Sequence, residues 1–505
     1  MPVARILTGT IFGLEAIPVT VEVDLSGGLP GLTLVGLPDK AVEEAKERVR
    51  SAIKNSGLSF PSKKIVVNLA PADLKKEGPG FDLPIALGIL AAAGQVKLPE
   101  GSLFFGELSL EGSLREISGA LPLALMARKT PLSTIFLPKE NAQEVSLVPG
   151  LEIIPVENLR ELIWHLKDEK KILPLKSSPL SLPPPISQVD FADIAGQEQA
   201  KRALEIAAAG AHNLLFTGPP GGGKTMLAQA FPSILPKMEL SEILETTRIY
   251  SAAGLLPKTR LITQRPFRSP HHTASNIALI GGGNIPKPGE ITLAHLGVLF
   301  LDELPEFPRH VLETLRQPLE EGWVTVARAA GSVTFPARFI LLAAQNPCPC
   351  GFFGDPEKEC RCTPSQILSY RKKVSGPLLD RIDLHVSLPR VSFEKLTQEE
   401  RTREPSSAVR SRVEVAREIQ RQRFVKVGIR ANAEMKSRAI KEFCHPGQAG
   451  LELIKTAMHS FALSARGYHK VLKVARTIAD LAHSSTIGPE HLAEALQYRP
   501  KEETL

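Results

Sequence analysis

The stretch that decides the fold is Gly218-Pro-Pro-Gly-Gly-Gly-Lys224-Thr225, a glycine-rich loop. An apolar strand over 213–217 is predicted before it and a helix over 226–231 after it, which is the context of a phosphate-binding P-loop. Glycines let backbone N–H groups turn toward phosphate, the lysine reaches the β- and γ-oxygens, and the threonine can ligate Mg²⁺. We therefore predict an ATP and Mg²⁺ site made by Gly218, Pro219, Pro220, Gly221, Gly222, Gly223, Lys224 and Thr225.

A second predicted strand supplies the acids that hydrolysis needs. The apolar run Gly297-Val-Leu-Phe-Leu ends in Asp302 and Glu303. Asp302 would complete the magnesium shell, and Glu303 would polarise the attacking water. Adjacent acids sometimes mark only a solvated strand end, but here a P-loop lies upstream in the same chain. The pair predicts ATP hydrolysis and not only nucleotide binding.

Two more polar residues follow predicted core elements. A strand over 339–344 leads to Asn346, whose amide would orient the attacking water in an ATPase of this build; alone, Asn before proline would indicate a turn. Arg381 follows a short predicted helix, and such an arginine can reach the γ-phosphate bound to a neighbouring subunit. The alternative for Arg381 is an intrachain ion pair with Asp380 or Asp383.

Composition bounds the remaining choices. The chain has 505 residues, 43% hydrophobic and 23% charged, which excludes a disordered or fibrous protein and allows about three domains. The apolar stretch 83–96 is shorter than the ~20 residues of a membrane span, and the N-terminus shows no secretory signal. Five cysteines then do not indicate a disulfide framework. We expect a cytoplasmic protein without a membrane anchor.

A linker with five prolines, 171–188, divides the chain. Before it, alternating Val19, Val21 and Val23 predict a strand, followed by a helix over 39–56, a strand over 64–69 and a helix over 81–93. After residue 391, helical periodicity dominates. The predicted fold class is α/β, with an α/β domain at 1–170, the linker at 171–189, a P-loop core with a parallel sheet at 190–390 and a helical domain at 391–505.

The motifs resemble a known family over nearly the whole chain. Phe191-Ala-Asp-Ile-Ala-Gly-Gln197, the P-loop, Leu-Phe-Leu-Asp-Glu-Leu and Ala-Ala-Gln-Asn-Pro are similar to AAA+ ATPases of the magnesium-chelatase branch. Longer runs at 265–283, 288–307, 346–355 and 463–481 resemble the bacterial YifB/ComM family. The resemblance implies an αβα core with a C-terminal helical lid and a homo-hexameric ring. The competence member of the family is similar to a DNA helicase that drives branch migration during natural transformation.

The same resemblance implies roles for individual residues. Ile194 and Gly196 would line the adenine pocket, Asn346 would be sensor 1, Arg381 the arginine finger and Arg466 sensor 2. It places a helix-2 insert at 275–287 and a presensor hairpin at 323–339, both facing the pore of the ring. Arg328 in that hairpin is the candidate DNA contact, because backbone phosphate needs basic partners. A solvated turn is its alternative.

A second resemblance covers the first predicted domain. The run 67–86 and the later Phe-Gly-Glu-Leu at 105–108 look like the proteolytic domain of Lon. Lon-type hydrolysis needs a serine nucleophile beside a lysine base. The resemblance puts these at Gly80 and near Leu121, so we predict an inactive domain with a structural or substrate-engaging role.

Three other features leave alternatives open. Cys348, Cys350, Cys360 and Cys362 could hold a structural Zn²⁺, form a reduced loop or act as a redox switch, whereas Cys444 is predicted to be core. The stretch 401–441, with twelve Lys/Arg against four Glu, is a solvated helix face or a DNA-binding surface. The pair His271-His272 favours a structural or nucleic-acid-facing loop over a metal site.

These observations predict an ATP-driven hexameric DNA helicase or translocase that acts on single-stranded or branched DNA. A protein-remodelling or metal-chelatase motor is the alternative, although a chelatase motor would not be expected to carry the Lon-like domain or the cysteine loop. An ATP-dependent protease is disfavoured by Gly80 and Leu121.

Overall fold

The computed structural model describes residues 3–175, 189–283, 286–328, 331–390, 403–460 and 464–500. Its strands are β1 Ala4–Phe12, β2 Glu15–Ser26, β3 Gly31–Val35, β4 Lys64–Ala70, β5 Ser102–Phe104, β6 Glu107–Leu108, β7 Leu114–Arg115, β8 Thr134–Pro138, β9 Glu152–Val156, β10 Leu214–Thr217, β11 Phe267–Arg268, β12 Gly281–Gly282, β13 Lys287–Pro288, β14 Val298–Leu301, β15 Trp323–Arg328, β16 Gly331–Pro336, β17 Ile340–Gln345 and β18 Leu384–Ser387.

Its helices are α1 Lys40–Glu43, α2 Ala45–Asn55, α3 Asp82–Ala92, α4 Ala120–Arg128, α5 Ala142–Val145, α6 Leu159–Leu166, α7 Glu198–Gly210, α8 Lys224–Ala230, α9 Leu240–Ala253, α10 Asn276–Ile280, α11 Glu290–Leu293, α12 Arg309–Glu313, α13 Arg316–Glu321, α14 Pro364–Arg371, α15 Gly376–Leu379, α16 Ser406–Phe424, α17 Ser437–Phe443, α18 Gln448–Ser460, α19 Ala465–Leu481 and α20 Pro489–Gln497. None of these helices is long and apolar enough to cross a bilayer, as far as the described residues go.

The chain divides into two compact units. The first contains residues 1–182, 240–262 and 284–287, and the second contains 183–239, 263–283 and 288–505. Helix α9 and the segment after it therefore fold with the first unit, although they lie inside the predicted core region 190–390. The sequence alone does not predict that this segment packs with the first unit.

The first unit is built on a seven-stranded sheet with the order β3-β4-β2-β1-β5-β8-β9. The predicted alternation holds: Val19, Val21 and Val23 are fully buried on one face of β2. The predicted helix 39–56 is two helices, because α1 ends at Glu43 and α2 starts at Ala45. Helix α3 is buried on nearly all sides, so its apolar run serves the core.

The second unit contains a parallel sheet with the order β11-β14-β17-β10-β18. Strand β10 lies between β17 and β18, and its residue Thr217 pairs with Gln345 and Ser387. Strands buried on both faces read as continuous apolar runs, as Val298–Leu301 does. Since all five strands run the same way, their carboxyl ends gather the polar residues that follow them.

Five of the twelve Lys and Arg residues of the basic stretch 401–441 lie in α16, and these five bind partners within the chain. Arg412 pairs with Glu205 and Glu404, Arg423 pairs with Asp480, and Arg417 donates to the Ala208 carbonyl. These guanidinium groups tie α16 to α7 and α19, so the helix is neither a purely solvated face nor a free cationic surface. Exposed cations remain toward the end of the stretch, at Lys426, Lys436, Arg438 and Lys441.

Candidate active site

The P-loop connects β10 to α8 at the centre of the parallel sheet. Gly221 and Gly223 have φ values of 77° and 84°, a left-handed conformation that costs glycine little. At Gly218 a Cβ would lie 2.5 Å from the Leu388 carbonyl oxygen, so a side chain is excluded there. The loop therefore needs its glycines for close backbone packing as well as for turning N–H groups toward a phosphate.

Lys224 lies at the centre of the site. Its Nζ donates to the carbonyls of Gly218 at 2.7 Å and Pro219 at 2.9 Å, and to Oδ1 of Asn346 at 3.0 Å. Burial lowers the pKa of Lys224, while Asp302 and Glu303 act against this shift. A partly desolvated ammonium gains most from an anionic partner, so the site suits polyphosphate.

The predicted magnesium ligands lie side by side. The Thr225 hydroxyl donates to Oδ2 of Asp302 at 2.8 Å, and Oδ1 of the same carboxylate accepts the Glu303 N–H at 2.9 Å. Neighbouring ligands of an octahedral Mg²⁺ with bonds of about 2.1 Å lie about 3.0 Å apart. The two oxygens therefore fit one ion, with other positions left for phosphate and water.

Glu303 has a partner that the sequence did not predict. Its backbone is left-handed, with a φ of 51°, and its half-exposed carboxylate lies 3.4 Å from Nδ1 of His272. The His272 ring also lies against those of His271 and Phe307. His272 comes four residues after β11, which neighbours β14, so the signal was that both segments leave the same edge of the sheet.

The two predicted arginines converge on one acid that the sequence also missed. Nη2 of Arg381 lies 2.5 Å from Oε1 of Glu320, and Nη2 of Arg466 lies 3.7 Å from the same oxygen. Arg381 thus makes an intrachain ion pair, but not with Asp380 or with Asp383, whose carboxylate faces His212 at 3.4 Å.

The segment expected to contact adenine meets the P-loop through its last residue. Ile194 is buried, and Gly196 and Gln197 both have left-handed backbone. The Gln197 amide donates to the carbonyls of Gly222 at 3.2 Å and Pro389 at 2.7 Å. Gln197 ends the motif that begins at Phe191, and the sequence does not indicate that its side chain would position the P-loop.

The four clustered cysteines form a compact group. The sulfur atoms of Cys348, Cys350 and Cys360 lie 3.4–3.6 Å from one another, and all four, with Cys362, lie within 4.8 Å. Tetrahedral Zn²⁺ with Zn–S bonds of about 2.3 Å needs sulfur atoms about 3.8 Å apart. The donor set and its spacing therefore fit a four-coordinate zinc.

The cysteine loop also touches the nucleotide site. A Cβ on Gly351 would lie 2.6 Å from Cδ of Pro220 in the P-loop. Burial raises the pKa of Tyr370 to about 12, and the backbone of Asn346 acts against this shift. Because Asn346 lies two residues before Cys348, an ordered cysteine loop would help to position the Asn346 amide.

The Lon-like part of the first unit has no catalytic pair at the predicted positions. A Cβ on Gly80 would lie 3.2 Å from the Ile117 side chain, and Leu121 is fully buried. Ser251 of α9 accepts the Leu121 N–H at 3.4 Å and donates to the buried Glu144. Helix α9 therefore packs where the lysine base was expected, which favours the structural role.

The elements expected to face a pore have the predicted form. The hairpin pairs Val324 with Phe335 and Val326 with Val333, and α10 lies in the insert region. Arg328 ends β15, but its side chain lies outside the described residues, so its role stays a prediction.

Comparisons with known proteins agree with this architecture. Three family models match: residues 190–396 match the one described as magnesium chelatase, subunit ChlI, 21–141 match subunit ChlI of Mg-chelatase, and 403–499 match the C-terminal part of subunit ChlI. The competence protein ComM of Haemophilus influenzae is 46% identical over 99% of this chain and 98% of its own length. YifB of Escherichia coli is 45% identical over 99% and 97%. A Lon protease from an Aster yellows witches'-broom phytoplasma is 30% identical over 31% of this chain and 21% of its own length.

Proposed function

Because this chain belongs to the family of ComM and YifB, magnesium-chelatase-like AAA+ ATPases, we propose that it hydrolyses ATP as a hexameric motor that moves DNA. The observation that carries the ATPase assignment is the pairing of Lys224 with Asn346 and of Thr225 with Asp302 by hydrogen bonds, at one edge of a parallel sheet. ATP and Mg²⁺ supply the phosphoryl group and the charge neutralisation. Lys224 binds the phosphates, Thr225 and Asp302 hold the ion, Glu303 accepts a proton from water, and Asn346 orients that water.

DNA is proposed as the substrate on two grounds. A full-length relative is named a competence protein, and the chain forms the antiparallel hairpin β15–β16, which the family resemblance predicts to face the pore. The basic stretch gives less support than its charge suggested, because Arg412, Arg417 and Arg423 are engaged inside the chain. The DNA contacts are therefore assigned to the hairpin and the insert, and branch migration is the proposed outcome of translocation.

A metal-chelatase or protein-remodelling motor is the second candidate. Its support is that three ChlI models match, including one over residues 21–141. The first domain was expected to argue against a chelatase motor, and this match removes that argument. The two proposals differ in what stimulates the ATPase.

DNA is expected to stimulate ATP hydrolysis severalfold. The measurement is phosphate release with no DNA, single-stranded DNA and a four-way junction, each at low and high salt. Phosphate contacts release counterions, so stimulation should fall as salt rises. Equal rates in all three conditions, with a folded and hydrolysing protein, would refute the DNA proposal and favour the second candidate.

We also propose one structural zinc per chain, held by the four clustered cysteines. Elemental analysis of protein purified without added metal should give about one zinc, as expected for a four-thiolate site. Cys350→Ser should lose it, whereas Cys444→Ser should keep it, because Cys444 is buried beside Met435, 3.9 Å away sulfur to sulfur. A folded, metal-free wild-type protein would rule the zinc out.

A further inference from the structure

Glu320 is the shared anchor of the two arginines expected to serve the nucleotide. It lies in α13, its side chain is 47% exposed, and one of its oxygens faces both Arg381 and Arg466. A carboxylate presents two oxygens in a plane, as a phosphate group presents its own, so it can occupy the same guanidinium edge. Glu320 therefore competes chemically with the γ-phosphate.

Arg381 is turned inward in this arrangement. Its side chain is only 10% exposed, Nη2 is paired with Glu320, and Nη1 donates to the Pro377 carbonyl. Its Nε is buried and has no partner among the described residues. An arginine in this state cannot reach a phosphate on a neighbouring subunit until its pair with Glu320 opens.

We propose that Glu320 is a latch that holds Arg381 away from the neighbouring ATP until DNA engages the hairpin. This rests on the proposed function, since it assumes a ring in which Arg381 acts on the next subunit. Glu320 is a positioning residue, because it acts through Arg381.

The path from the hairpin to Glu320 is short and stiff. Gly322 alone joins α13 to β15; its N–H donates to the Pro318 carbonyl of the helix at 2.9 Å, and its own carbonyl accepts the Ala337 N–H at 2.8 Å. A Cβ on Gly322, whose φ is 76°, would lie 3.0 Å from the Arg338 side chain. A displacement of the hairpin would therefore move α13 and Glu320 with it.

The test compares DNA-free ATP hydrolysis by wild type, Glu320→Gln and Glu321→Gln. Glu321 is the matched control: it lies in the same helix, and within the described part of the chain its side chain accepts a hydrogen bond from Gln317 alone, at 3.0 Å. We expect Glu320→Gln to raise the DNA-free kcat roughly threefold to tenfold, the range between an exposed ion pair and a charge-assisted hydrogen bond. The KM for ATP should not change, and the DNA stimulation factor should fall by the same ratio.

Two additional variants test whether the effect of Glu320 depends on Arg381 and on the length of the acidic side chain. Adding Arg381→Ala to Glu320→Gln should remove the gain, and Glu320→Asp, which keeps the charge on a shorter side chain, should give a smaller gain. An unchanged or lower DNA-free rate in a folded Glu320→Gln ring overturns the latch. If the wild type hydrolyses ATP but DNA has no effect, the DNA proposal fails, while the DNA-free comparison still decides whether Glu320 restrains Arg381.

Discussion

Replacing Lys224 with alanine should abolish tight ATP binding, whereas Glu303→Gln should keep ATP binding and stop hydrolysis. Lys224 points into the loop that would hold the phosphates. Losing two charge-assisted hydrogen bonds to phosphate should weaken ATP binding by about a hundredfold or more. Glu303 is half-exposed beside the magnesium ligands, and its carboxylate lies 3.4 Å from Nδ1 of His272. Its loss should lower kcat by about a hundredfold to ten-thousandfold, the contribution of a general base.

Titration with a fluorescent ATP analogue and a phosphate-release assay separate the two effects. Glu306→Gln is the matched control: this acid lies three residues after Glu303 but pairs with Lys373 on the surface, at 3.2 Å, so both binding and turnover should survive. Wild-type turnover by Glu303→Gln would remove the role assigned to Glu303. Unchanged ATP affinity in Lys224→Ala would remove the role assigned to the P-loop.

The nucleotide site could be predicted because its signals are local. A glycine run between an apolar strand and a helix is typical of a phosphate-binding loop, and two acids at the end of another buried strand emerge at the same edge of a parallel sheet. The contacts of His272 with Glu303 and of Glu320 with Arg381 join segments far apart in sequence. No local pattern encodes such pairs.

The number of basic residues in the stretch 401–441 did not predict where their side chains lie, for a related reason. Twelve basic residues in 41 positions suggested one face, yet the partners of Arg412 and Arg423 lie in distant helices. Buried acids such as Asp480 need cations, so part of the excess charge satisfies the interior and is not available to a polyanion. The sequence shows how many cations there are but not which acids they meet.

The boundaries of the two units are also only partly predictable from local sequence patterns. The proline-rich linker 171–188 predicts one boundary, since prolines and serines build no core. Helix α9 reads as an ordinary amphipathic segment, yet Leu244 packs against the core of the first unit and Ser251 bonds to Glu144. Only the three-dimensional packing shows that this segment belongs to the first unit.

Arg381→Ala and Lys224→Ala should each be nearly inactive alone, and mixing them should restore part of the ATPase activity. An arginine supplied from a neighbouring subunit is worth on the order of 10³–10⁵ in rate, so its loss should be as damaging as loss of the P-loop lysine. In randomly mixed rings, about one quarter of the head-to-tail interfaces would pair an intact P-loop with an intact Arg381. Those interfaces should hydrolyse ATP.

The ion pair between Arg381 and Glu320 makes the outcome informative in either direction. If Arg381 acts only within its own chain, every subunit in the mixture lacks one essential part and no activity returns. If Arg381 leaves Glu320 to reach the next subunit, activity returns with the mixing ratio, and Glu320→Gln in the Lys224→Ala partner should raise it further in the absence of DNA. Subunit exchange, followed by native mass spectrometry, is the necessary control. If the rings have exchanged subunits and show no activity, the arginine does not act in trans. In that case, interfaces that pair an intact P-loop with an intact Arg381 were present but did not hydrolyse ATP.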